Sequence, residues 1–197
     1  MSNPFDLLID TFLLDKIGID PAFMTMALSK GLQQHIVQLQ QDGNMTAAGI
    51  GNADHKDENQ TMRSDKIYWL DKSHDNIFEQ EFLHLIENFI EYLNRTCYTG
   101  INGYEFHYAV YESGTYYKRH RDQFKNENHR KYSLINYLNE NWLQEDGGQL
   151  RVFQKDGIQH ILPQSQTAVF FKSDEMEHEV TLSNRSRMSI TGWLKRV

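Results

Sequence analysis

His120 and Asp122 stand two apart in the stretch Tyr117-Lys118-Arg119-His120-Arg121-Asp122. On a strand, positions i and i+2 share a face, so the imidazole and the carboxylate would converge while Arg121 turns away. Such a pair makes two-thirds of a facial metal-binding triad. The remaining ligand must come from elsewhere, and His178, in Met176-Glu177-His178-Glu179-Val180, is the best candidate. Two neutral imidazoles and one carboxylate suit Fe(II) and leave coordination positions open. Arg187 follows at a distance that lets it stand on the next strand and face the same cavity. A guanidinium fixed there is suited to grip a carboxylate through two parallel hydrogen bonds.

Most of the nine histidines call for no such role. His35, His55, His74 and His84 fall on expected helices or loops and read as surface residues. His107, His129 and His160 lie in the strand-rich half but lack a neighbouring ligand at strand spacing. His120 by itself would read the same way. Asp122 beside it shifts the reading.

These residues need elements to position them. Residues 3–16 read as a short helix, with Pro4 at its first position and Phe5, Leu8, Phe12 and Leu13 as its apolar stripe. Asp20-Pro21 is expected to open a second helix, Asp20 being the N-cap, with Met24, Leu28, Leu32, Ile36 and Leu39 buried. The polar stretch from Gln40 to Ser64 has little to bury and reads as mobile. A strand from Ala47 to Gly51 could pair there with Lys66 to Leu70. A long helix runs to about Tyr98, with Phe78, Phe82, Leu85, Ile86, Phe89 and Leu93 at helical spacing. Its expected partner is the outer face of a β-sheet.

From Gly103 the pattern turns to period two. Strands are expected at 104–111, 115–122, 132–138, 149–154, 158–161, 167–171, 178–182 and 186–194. Eight short strands after a helical half predict an α+β fold: a double-stranded β-helix, or jelly-roll, cupin-like in outline, with the N-terminal helices packed on its major sheet. On the last strand Arg187, Ser189, Thr191 and Trp193 share a polar face. Met188, Ile190, Gly192 and Leu194 share an apolar one. An anion-binding cavity would give the polar face its reason. The whole chain, 1–197, reads as one domain, with 1–98 as helical support and 99–197 as the jelly-roll core.

The constellation as a whole resembles the 2-oxoglutarate, Fe(II)-dependent oxygenases, and within them the prolyl hydroxylases. H-x-D alone would be weak, because it arises by chance. The likeness also takes in Arg63 to Trp69, Tyr111, Tyr117, Tyr137-Leu138-Asn139, Trp142, Gly147-Gly148, Leu150 to Phe153, His178-Glu179-Val180 and Arg187 to Trp193. It is closest to the hypoxia-inducible-factor type and its bacterial relatives. The resemblance implies Fe(II) on His120, Asp122 and His178, with 2-oxoglutarate and O2 as cosubstrates and ascorbate as a reductant. It places Arg187 and the Tyr137 hydroxyl on the distal carboxylate of 2-oxoglutarate, Tyr111 near its metal-proximal end, and Thr191 among its contacts. It sets Arg63, Asp65, Arg130 and Trp193 around the substrate entrance, under a finger at about 44–70. The implied reaction is hydroxylation of a prolyl residue in a protein, with a translation factor as the candidate, and release of succinate and CO2.

Composition narrows the alternatives. Hydrophobic residues are 39% and charged residues 24% of the chain, ordinary for a globular protein. No apolar run approaches a membrane span, and the N-terminus lacks the pattern of a secretory signal. Cys97 is the single cysteine, which excludes an intramolecular disulfide and fits a reducing cytoplasm. The net charge of −7 argues against a nucleic-acid partner. One rival is an oxygenase acting on a free amino acid or other small molecule, which would need a second basic clamp in the cavity. Another is a non-catalytic cupin-like sensing or binding module, against which the intact H-x-D and distal histidine stand.

Overall fold

The computed structural model describes residues 3–49, 62–123 and 129–197. The first helix, α1 (Asp6–Asp15), follows Phe5. Asn3 closes the entry, its side chain accepting from the Phe5 N–H and its own N–H donating to Asp6. Pro4 therefore precedes the helix and does not open it. Gly18–Asp20 then forms β1, a strand too short to leave a pattern in the sequence.

Asp20 is not the N-cap of the next helix. Its carboxylate accepts from the Ala22 N–H in a turn, and α2 (Met26–Gln41) opens at Thr25, whose hydroxyl accepts from the Leu28 N–H. Either residue type makes a good cap. Asp20 is taken up by β1, where it pairs with Ala168 of the strand Ala168–Lys172, and Leu28, Leu32, Ile36 and Leu39 of α2 lie in the core. Met24 is buried just before the helix begins.

β2 (Thr46–Ala47) and β3 (Lys66–Trp69) pair antiparallel, Thr46 opposite Ile67. The expected strand to Gly51 and much of the expected finger lie outside the described residues. Next, α3 (Ile77–Cys97) begins at Asn76, whose side chain accepts from the Phe78 and Glu79 N–H groups. Phe82, Ile86, Phe89 and Leu93 are all but inaccessible along its inner face. His35 and His74 correct the surface reading. They flank the wholly buried Glu79 carboxylate, at 3.0 and 2.7 Å.

The strands that follow are β4 (Gly103–Tyr111), β5 (Tyr117–His120), β6 (Arg130–Tyr137), β7 (Leu150–Gln154), β8 (Gly157–Ile161), β9 (Ala168–Lys172), β10 (Glu177–Val180) and β11 (Arg187–Lys195). They build two antiparallel sheets. The major one runs β1-β9-β6-β11-β4-β3-β2 and the minor one β5-β10-β7-β8. This is the expected α+β double-stranded β-helix. One apolar core joins the helices to the outer face of the major sheet, with edge-to-face contacts such as Phe82 on Phe106 and Phe89 on Phe170. A second fills the space between the sheets. β11 sits between β4 and β6, so its two faces are set apart as predicted: Ile190 and Leu194 join the helix-side core, and Arg187, Thr191 and Trp193 face the interior cavity. At Gly192 a Cβ would meet the Glu105 carbonyl at 2.3 Å, so only glycine lets β4 close against β11 there. Among the described residues no helix is long and apolar enough to cross a membrane.

Candidate metal centre and its cavity

Neighbouring strands of the minor sheet bring the two histidines together. β5 and β10 pair with His120 directly opposite His178, and their rings lie 4.3 Å apart. Asp122 joins them from beyond the end of β5. The strand argument therefore gives the correct neighbours for a partly different reason, since the ladder stops at His120. Asp122 Oδ1 lies 3.5 Å from His120 Nε2 and 3.7 Å from His178 Nε2. Arg121 points outward to Glu177, at 3.6 Å, while standing at the cavity rim.

The protons around this cluster are dictated by its partners. His120 Nδ1 is 2.7 Å from the Lys118 carbonyl, and His178 Nδ1 is 3.2 Å from the Met176 carbonyl. A carbonyl only accepts, so both Nδ1 atoms carry a hydrogen and both Nε2 atoms are turned toward Asp122. Burial, opposed by the nearby Asp122 charge, pushes His178 down to about 4, which keeps it neutral. Burial works to raise Asp122, but His178, His120 and the Ser133 hydroxyl outweigh it and hold the carboxylate ionised, well below the usual range. Three possible ligand atoms, all within 4.8 Å of one another, thus converge. Two imidazole nitrogens and a carboxylate oxygen gathered in this way are suited to hold a cation in their midst. The donors fit Fe(II), and the backbone carbonyls behind the imidazoles hold the rings in ligating orientation.

At the other end of the cavity stands Arg187. It is 1% exposed, and its Nε–H donates to the Gly148 carbonyl at 2.8 Å. Gly148, at φ +60°, allows this contact, because a Cβ there would lie 3.0 Å from Arg187 Cδ. The guanidinium carbon sits 5.0 Å from the ring centres of both Tyr111 and Tyr137. Among the described residues no carboxylate forms an ion pair with it, and the Tyr137 hydroxyl finds no hydrogen-bond partner. Burial raises the Tyr137 phenol against the pull of Arg187, and raises that of Tyr111 further, so both remain O–H donors. A desolvated guanidinium beside an idle phenol is a receptor for an anion, since a buried cation without a counter-charge is costly.

The cavity between these poles measures about 320 Å³, room for a five-carbon diacid. Tyr111, Thr191, Trp193, Arg63 and Arg130 line it, as do the triad and Arg187. Tyr137 is not among the lining residues and stands beside Arg187. Asp65 is also off the wall: it takes Arg63 in a two-pronged ion pair, Nε to Oδ1 at 2.7 Å and a terminal nitrogen to Oδ2 at 2.6 Å. Arg63 in turn lies over the Tyr117 ring at 4.7 Å. Arg130 stacks 3.5 Å above Trp193 and pairs with Glu105.

Three residues of the site went unseen in the sequence. His107 is buried against Trp69 and Trp193, with ring centres 4.9 and 5.5 Å away, and its Nδ1 has no hydrogen-bond partner among the described residues. Its inward position on β4, two before Ala109 and four before Tyr111, was the available signal. Trp69 reaches the cavity through the pairing of β3 with His107 on β4. Ser133, on β6, donates to Asp122 Oδ2 at 2.6 Å.

The chain is similar to known proteins. The family model for the 2OG-Fe(II) oxygenase superfamily matches residues 106–195. A prolyl-4-hydroxylase from Pseudomonas putida is similar at a TM-score of 0.87 and 29% identity, over 96% of this chain and 97% of that one. A prolyl hydroxylase from Trichoplax adhaerens, in complex with a hypoxia-inducible-factor oxygen degradation domain peptide fragment, is similar at 0.86 and 25% identity, over 96% and 88%. Prolyl 4-hydroxylases from Phytophthora capsici share the fold at 0.76 and 18% identity, over 95% and 61%.

Proposed function

Since the chain belongs to the 2OG-Fe(II) oxygenase superfamily and is a prolyl-hydroxylase-like enzyme dependent on 2-oxoglutarate, we propose that it hydroxylates a prolyl residue in a protein. The observation that carries this reading is the pair of opposed poles in one cavity. A converging His120, Asp122 and His178 cluster faces a buried Arg187, with which no carboxylate among the described residues pairs, across a space fitted to 2-oxoglutarate. Fe(II) with 2-oxoglutarate and O2 supplies the oxidation, with succinate and CO2 released.

The chain's own residues bind, orient and shield. His120, Asp122 and His178 hold the metal through neutral nitrogens and one carboxylate oxygen. Arg187 and the Tyr137 hydroxyl take the far carboxylate, and Tyr111 and Thr191 flank the cosubstrate. Arg63, braced by Asp65, and Arg130, stacked on Trp193, frame the entrance. Trp69, His107 and Trp193 present three flat rings beside the metal ligands. Such a wall suits a compact, weakly polar five-membered ring better than a charged head group.

A protein substrate is favoured over a free amino acid because the entrance arginines are already engaged with carboxylates. Arg63 holds Asp65 and Arg130 holds Glu105. A target in the translation apparatus, ascorbate as reductant and a cytoplasmic location complete the proposal. The test is to incubate the purified chain with Fe(II), 2-oxoglutarate and cytosolic extract, then search by mass spectrometry for one added oxygen on prolyl residues. Oxygen appearing only on free metabolites would replace this reading with the small-molecule one.

A further inference from the structure

We propose that Ser133 and Ser173 form a buried hydroxyl relay that positions Asp122 as a one-oxygen metal ligand, an inference that rests on the metal-centre reading above. Both serines are wholly buried. Ser133 Oγ lies 2.6 Å from Asp122 Oδ2, and Ser173 Oγ lies 2.9 Å from Ser133 Oγ. The direction of the chain is forced. An ionised carboxylate can only accept, so Ser133 gives it its one proton, and Ser173 must then donate to Ser133. A hydroxyl that accepts one such bond donates the next more strongly.

Asp122 needs this support because no ladder holds it. β5 ends two residues earlier, at His120. Ser173 grips the chain just past the ligand as well: its carbonyl accepts from the Gln123 N–H at 3.3 Å, while its N–H donates to the Lys131 carbonyl at 3.1 Å. The relay thus ties the free end of the metal-binding stretch to the rigid major sheet. It also decides which oxygen is offered. Oδ1 faces His120 and His178, while Oδ2 is turned away onto Ser133. A carboxylate free to rotate could present both oxygens to the ion and fill a position that the reaction leaves open. Neither serine lines the cavity, so both are positioning residues acting through Asp122.

The test uses the full chain without oxygen. Mn(II) affinity is measured by calorimetry, and the visible spectrum of the Co(II)-loaded protein is recorded with 2-oxoglutarate present. Ser133→Ala is expected to weaken Mn(II) binding by about 10- to 100-fold and to alter the Co(II) ligand-field bands. Ser133→Thr keeps the hydroxyl and should recover most of that affinity. Ser173→Ala should cause a smaller loss in the same direction. Melting of the metal-free variants reports the fold. A Ser133→Ala protein with wild-type Mn(II) affinity and Co(II) spectrum overturns the relay, and does so equally if its melting point has fallen. Should Ser133→Ala fail to fold, unchanged affinity and spectrum in Ser173→Ala overturn it instead. A wild-type chain that binds no Mn(II) overturns the metal-centre reading itself.

Discussion

Arg187 is the residue where stability and function pull in opposite directions. A guanidinium buried without a counter-charge destabilises the empty protein, yet the same isolation makes it a strong receptor for a carboxylate. Arg187→Met is therefore expected to raise the melting temperature of the cosubstrate-free protein. The same change should raise the KM for 2-oxoglutarate by about 30-fold or more, matching the ~2 kcal/mol lower limit for losing one partner of a buried charged pair. Calorimetric melts and succinate release read the two effects separately. His120→Ala, Asp122→Ala and His178→Ala should each abolish turnover and cut Mn(II) affinity. Unchanged turnover in His178→Ala would remove it from the ligand set.

His107 gives a pH test at the same scale. Burial, helped by Arg63, pushes it down to about 4 from the ordinary 6.5. An unfolded chain takes this proton near pH 6.5, whereas the folded chain refuses it until about 4. Stability should therefore fall as the pH drops through that window, by at most about 3 kcal/mol, and flatten below it. Urea denaturation at several pH values should show a shallower slope in His107→Met than in the wild type. An identical slope would mean that His107 is not held neutral.

At the scale of elements, period and capping made most of the architecture readable. The eight strands of the second half fall within a few residues of their expected places, because alternation survives wherever one face is buried and the other is not. α3 was legible for the same reason at helical spacing, and its start has a testable cap. Asn76→Ala removes the acceptor for two backbone N–H groups. It should cost about 1 kcal/mol in denaturant unfolding with the slope unchanged. The misreadings have causes of the same kind. Asp20 and Thr25 are both competent caps, but Asp20 is engaged in the pairing of β1 with β9 and in the turn at Ala22. β1 owes its existence to pairing with β9, a contact that three residues cannot announce.

Over the whole molecule, the cavity couples ligand binding to folding. Its two poles sit on different sheets, the metal cluster on β5 and β10 of the minor one and Arg187 on β11 of the major one. A metal and diacid bound together would staple the sheets. Mn(II) with 2-oxoglutarate, each near 100 times its dissociation constant, should stabilise the fold by about 3 kcal/mol or more, reversed by a chelator. Arg187→Met should lose the 2-oxoglutarate part of that gain and keep the metal part. A melt unmoved by either ligand would sink the two-pole reading.

The sequence alone determined the local facts: which residues are apolar at which period, that His120 and Asp122 are near neighbours, and that the last strand has one polar face. These follow from covalent spacing and side-chain chemistry, which need no partner. The tertiary structure decided everything that depends on pairing. It set His178 across from His120, brought Ser133 and Ser173 beneath Asp122, closed Asp65 onto Arg63, and walled the cavity with His107 and Trp69 from strands far apart in the chain. A contact between distant strands is fixed by register and by the packing of two sheets, and neither is written in any one stretch of residues.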